Sequence, residues 1–94
     1  MQNIDISSTE LNIVKEILHG IGKIVVFGSR VKGTARPFSD LDLCIKENLP
    51  AIEIELLREK FENSDLPFKV DLIEYAKIDT YFQKIIDEQG VDIT

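Results

Sequence analysis

Two aspartates stand at the head of an apolar run, in 40-DLDLCIK-46, and that placement constrains the chain more than any other feature. Side chains alternate across a strand, so Asp40 and Asp42 share one face while Leu41 and Leu43 share the other. The leucines call for burial and the carboxylates resist it, because burying an unpaired charge is costly. The strand therefore needs water or a cation beside residues 40 and 42.

The surroundings divide into short elements. Ser7 and Glu10 have the spacing of a capping box, and Leu11, Val14, Ile17 and Leu18 follow at helical spacing, with Gly20 and Gly22 as the stop. The β-branched and aromatic run 23-KIVVFG-28 reads as a buried strand, 29-SRVKG-33 as a single helical turn, and 41-LDLCIK-46 as a second strand. A helix over 51–63, a third strand 69-KVDLIEY-75 and a last helix from about Ile78 to Gln89 complete the order, with Asp79 near the last helix's start and Gly90 as its stop. No internal repeat or linker is present, so residues 1–94 read as one domain of α/β (α+β) class, a small mixed sheet flanked by helices.

Charge narrows the partners. The chain is 94 residues long with a formal net charge of −6, which argues against an open nucleic-acid surface. Lys23, Arg30, Lys32, Arg36 and Lys46 against Asp40 and Asp42 make residues 23–46 locally +3 and the remainder −9. A basic loop beside carboxylates in an acidic protein suits a small anion held with a metal better than a long polyanion. No run approaches the roughly 20 apolar residues that cross a bilayer, the amino terminus lacks a secretory pattern, and Cys44 is a lone cysteine. A cytoplasmic location is expected.

Residues 28–43, GSRVKGTARPFSDLDL, offer a division of labour. Gly28 lets backbone approach a ligand closely, and the N–H groups and hydroxyl at Ser29 favour phosphate. Asp40 and Asp42 supply the hard oxygen ligands that Mg²⁺ takes. Asp71, flanked by Val70 and Leu72, completes a three-aspartate cluster if the third strand lies beside the second. Each feature has a plainer reading: a tight turn, an exposed edge, a capping aspartate, a solvated row of cations. Their order and spacing together favour the chemical one.

Gly28-Ser29, ten intervening residues, Asp-x-Asp and a later strand aspartate resemble the DNA polymerase β-like nucleotidyltransferase superfamily, and the full string is similar to its minimal MNT members. The resemblance spans almost the whole chain. It implies the polymerase β-like fold with a sheet of three to five strands, and transfer of a nucleoside monophosphate from a triphosphate to a hydroxyl by a two-metal mechanism. It implies that Gly28 and Ser29 hold the triphosphate, that Asp40 and Asp42 bind two Mg²⁺ ions, and that Asp71 helps bind the catalytic metal and activates the acceptor. Arg30, Arg36 and Ser39 complete the candidate nucleotide-binding set.

The same resemblance implies ATP as substrate and a HEPN-type helical toxin as partner, whose tyrosine the chain, as antitoxin, would adenylylate. The alternatives are a binding module that neutralises a helical partner by complex formation, and transfer to a small molecule such as an antibiotic. No membrane and no direct nucleic-acid partner is expected; a homo- or hetero-oligomer is compatible with all of this. The ending 91-VDIT-94 departs from the apolar-aromatic ending of MNT proteins and leaves a further strand there without sequence support. His19 and Cys44 read as helix-end and core residues. Tyr75, Tyr81 and Phe82 cover the sheet or meet a partner, and Ile52, Ile54, Leu56 and Leu57 put apolar side chains on more than one face of their helix.

Overall fold

A computed structural model describes residues 4–93. Helix α1 (Ser8–Ile17) begins at the expected capping box: the Ser7 hydroxyl accepts from the Glu10 amide, and the Glu10 carboxylate accepts from the Ser7 amide. Strand β1 (Ile24–Phe27), the single turn α2 (Ser29–Lys32) and strand β2 (Leu41–Ile45) follow. Helix α3 (Ala51–Glu62) then leads to β3 (Val70–Glu74), a 3₁₀ turn (Tyr75–Lys77), α4 (Thr80–Gln89) and β4 (Val91–Asp92).

The four strands form one sheet in the order β3-β2-β1-β4. β1 is antiparallel to β2 and to β4, whereas β2 and β3 run parallel. A parallel pair needs a long crossover, and α3 is that crossover. The register places Asp42 beside Phe27 on one side and beside Asp71 on the other.

The two faces of the sheet are covered differently. Ile24, Val26, Leu41, Leu43, Ile45 and Leu72 face a core that Val14 and Leu18 from the first helix, and Ile54, Leu57 and Phe61 from α3, complete. The opposite face is covered by α4 and the 3₁₀ turn before it; Ile86 packs there on Val25 and Cys44 and is bordered by Phe27, Ile73, Tyr75 and Phe82. The alternation in β2 thus resolves as the sequence demands, with leucines toward the two-helix core and Asp42 on the more open face.

One expectation is corrected. The stretch after Gly90 does form a strand, with Val91 and Asp92 paired to Val26 and Val25, and the Ile93 amide donates to Ile24 at 3.1 Å. The reason is local: Ile93 is buried in the larger core, and its side chain needs no aromatic neighbour to hold a two-residue pairing. Thr94 lies outside the described residues. The 3₁₀ turn delays α4 to Thr80, where the Asp79 carboxylate caps it by accepting from the Phe82 amide at 2.8 Å.

Candidate active site

The sheet brings together aspartates that the sequence separates by about 30 positions. Asp42 and Asp71 are side-by-side partners in parallel strands, so their side chains share a face, and Asp40 precedes them at the head of β2. Asp40 and Asp71 are exposed and Asp42 is half-buried. Burial, then the charges of Asp71 and Asp40, push the Asp42 carboxyl above its ordinary value of 3.8. Three acidic groups near enough to disturb one another, one of them partly desolvated, form a donor set of hard oxygens only. Among the described residues no group of three carboxylate, imidazole or thiol side chains closes into a metal site, so the row is open.

Gly28 ends β1 against this row. Its φ of 82° and ψ of −152° lie where residues other than glycine are strained, and a Cβ there would collide with Oδ2 of Asp42. Backbone at residue 28 can approach the carboxylates only because the side chain is absent. Ser29 opens α2, half-buried, and no side chain caps the amino end of that turn. The Gly28-Ser29 turn and the carboxylate row are therefore adjacent through Gly28.

The other candidates divide. Arg36 is exposed. Ser39 closes the loop before Asp40, its hydroxyl accepting from the Arg36 amide at 2.8 Å while its own amide donates to the Arg36 carbonyl at 3.0 Å. Arg30 is turned inward: it is 5% exposed and donates to the carbonyls of Asp5 and Ser39, both at 2.7 Å. Lys32, which the sequence offered only as a solvated cation, is exposed at the end of α2.

Sequence reasoning missed the apolar wall of the site. Phe27, the register partner of Asp42, meets Phe82 of α4 edge to face, with centroids 5.7 Å apart. Phe82 thereby covers the sheet, as does Tyr75, whose hydroxyl donates to Asp87 at 2.7 Å; Tyr81 is exposed. Lys46 pairs with the same Asp87 at 2.6 Å, fastening α4 across the sheet. Cys44 is a core residue, its thiol pushed up to about 11 mainly by burial. A short aromatic pair far apart in sequence carries no periodic signal, which is why it was not visible beforehand.

Two of the larger cavities differ in what lines them. One of about 600 Å³ between α1 and α3 is lined by Ile13, Ile17, Leu56 and Lys60 among others and contains none of the candidate residues. A second, of about 510 Å³, runs beside the edge strand β3, where Asp71 lines it with Phe61, Phe68 and Lys69. Asp71 thus joins the second cavity to the carboxylate row. No helix among the described residues is long and apolar enough to cross a membrane.

Comparison with known proteins agrees with this geometry. The model of the nucleotidyltransferase domain family matches residues 9–93. The chain is 46% identical over 88 residues to the probable protein adenylyltransferase MntA of Haemophilus influenzae, a match covering 88% of this chain and 77% of that protein. Its fold is similar to a crystal structure of a toxin–antitoxin with AMP-PNP, with a TM-score of 0.72, 26% identity, and coverage of 89% of this chain and 72% of that one. A crystal structure of the toxin–antitoxin MntA–HepT shares the fold at a TM-score of 0.66 and 22% identity, over 94% of this chain and 72% of that one. A glycine-serine turn set against paired aspartates, on a sheet that a single family model spans from α1 to Ile93, has one consistent assignment: the chain belongs to the nucleotidyltransferase domain family.

Proposed function

We propose that this protein transfers AMP from ATP to a hydroxyl, on a tyrosine of a HEPN-type helical toxin, and so acts as the antitoxin of that pair. The observation that carries the chemistry is the in-register pairing of Asp42 with Asp71 beside Gly28. The relative named as a protein adenylyltransferase and the toxin–antitoxin structure with AMP-PNP support the choice of acceptor class and nucleotide.

The residues fit Mg²⁺ on an observation of the site itself. Asp42 and Asp71 lie side by side in register, with Asp40 at the head of the same strand, as a set of hard oxygen donors whose mutual repulsion a divalent cation would relieve. Asp40 and Asp42 would hold the ions, with Asp71 sharing the catalytic one. When bound, they neutralise charge on the phosphates and on the attacking and leaving oxygens.

The chain's own groups do the rest. Gly28 admits the triphosphate to backbone distance, Ser29 offers its hydroxyl as a donor, and exposed Lys32 and Arg36 supply cations beside it. Asp71, on the edge strand and open to solvent, accepts the proton of the incoming hydroxyl. The acceptor oxygen forms a bond to the α-phosphorus, the bond from that phosphorus to the bridging oxygen breaks, and pyrophosphate leaves.

The test is mass spectrometry of the helical partner after incubation with the full chain, Mg²⁺ and each nucleoside triphosphate. The expected result is a gain of one AMP on a tyrosine with ATP, absent with the Asp40→Asn, Asp42→Asn double variant. A tight complex with no nucleotide added under any condition would overturn the transfer reading in favour of neutralisation by binding alone.

A further inference from the structure

Arg30 is the one charged residue buried among the described residues, and all three of its guanidinium nitrogens donate. Nε and Nη2 both donate to the Ser39 carbonyl, at 3.1 and 2.7 Å, and Nη2 also reaches the Pro37 carbonyl at 3.4 Å. Nη1 donates to the Asp5 carbonyl at 2.7 Å, while the Asp5 amide donates back to the Arg30 carbonyl at 2.7 Å. The flat guanidinium lies over the Phe68 ring, 4.1 Å from its centroid.

The partners, not their number, carry the argument. The Ser39 carbonyl belongs to the peptide that joins Ser39 to Asp40. Phe68 lies just ahead of β3, where the neighbouring Lys69 carbonyl accepts from the Leu41 amide at 2.9 Å and Asp71 follows. Arg30 itself sits in α2, the turn that opens with Ser29. One rigid fork therefore joins the phosphate turn, the peptide entering Asp40 and the approach to Asp71. Only arginine offers a planar fork that can grip a carbonyl with two N–H groups while stacking on a ring.

We infer that Arg30 is a positioning residue: an internal strut that fixes Asp40 and the 36–39 loop against α2 and β3, rather than a ligand of the nucleotide. Its kinetic consequence rests on the proposed transfer reaction; its structural consequence does not. Small displacements of reacting groups cost up to about 100-fold in rate, whereas binding contacts show in KM.

Two arms test the strut on the full chain. In the first, NMR follows the Arg30 Nε–H without ligand and during titration with AMP-PNP. Slow exchange with solvent, and a resonance that stays put while the Ser29 amide shifts, are expected. Fast exchange, or a shift of the Arg30 signal as large as that of Ser29, overturns the inference.

In the second, Arg30→Lys keeps the charge and loses the fork. With thermal unfolding confirming that the variant is folded, kcat for AMP transfer is expected to fall about 10- to 100-fold with KM for ATP within about twofold. A raised KM with kcat kept, or no change in either, overturns it. If Arg30→Lys does not fold, Phe68→Leu removes the ring beneath the guanidinium and is expected to show the same split in smaller measure; an unchanged kcat there overturns the inference. A wild-type chain that transfers no AMP rejects the transfer reaction, and the NMR arm then decides the strut by itself.

Discussion

The carboxylate of Asp42 occupies the space that a Cβ on Gly28 would need. Gly28→Ala therefore disturbs the fold and the site together. A non-glycine residue in this backbone region costs on the order of 1–3 kcal/mol, and displacing Asp42 adds to that. Transfer activity is expected to drop by at least about tenfold even where the variant remains folded, because the displaced group is one that the proposed function places at the reacting atoms. Denaturant unfolding gives the first quantity and a nucleotide-transfer assay the second; an alanine variant with full activity would contradict the placement of residue 28.

Asp42 separates stability from function. Its folded-state pKa lies above the ordinary value of 3.8, chiefly through burial. Its contribution to stability is thus fully present below about 3.8 and is lost as the pH rises through the raised folded value. Without divalent cations, Asp42→Asn is expected to be at least as stable as the parent at neutral pH, with the difference narrowing as the pH falls toward 4. Urea midpoints across that range measure it, and a parent that gains on the variant with rising pH would refute the assignment. Transfer should fall by more than about 100-fold, since even outer partners of a metal site cost 10- to 100-fold.

Lys32 and Arg36 are exposed whereas Arg30 is turned inward, so in the proposed function these two are the cations left for the triphosphate. A charged hydrogen bond to phosphate contributes about 1.5–3 kcal/mol, so Lys32→Ala is expected to raise KM for ATP roughly tenfold. Its unfolding midpoint should scarcely move, as an exposed side chain away from any packing changes stability by about 0.5 kcal/mol or less. Steady-state kinetics against ATP concentration, read beside a thermal melt, distinguish this from a structural effect.

Ile86 is the buried residue through which α4 grips the open face of the sheet, against Val25 and Cys44. Removing its side chain leaves a cavity, and Ile86→Ala is expected to cost about 2–5 kcal/mol. Hydrogen exchange should show the loss first in α4 and in β4, which follows it directly, since the cavity opens beneath α4. Equal loosening of α1 and α3, on the other face, would contradict the division of the core.

Much of this fold was legible in the sequence because its signals are local. The capping box at Ser7 and Glu10, the stop at Gly20, and the alternation of Leu41 and Leu43 with Asp42 each depend on neighbours a few positions away. The candidate carboxylates were legible for a related reason: an aspartate inside an apolar strand is a local contradiction that only a partner can resolve. What was not legible was long-range. The strand at Val91–Asp92 exists because Ile93 finds a place in the core, and no pattern within four residues announces that.

Arg30 and Arg36 show the same boundary on the candidate site. In sequence both are cations between the first and second strands, six positions apart, and both are candidates for the nucleotide. In the fold one is buried against Phe68 and three backbone carbonyls, and the other is exposed. The sequence by itself determined which residue types stand at the turn, the row and the strands, since periodicity and backbone preference act over a few residues. The tertiary structure decided that Asp71 lies beside Asp42, that Phe82 seats on Phe27, and that Arg30 faces inward. These are contacts between segments, and they are fixed only when the sheet's register and the closing of its two faces bring those segments together.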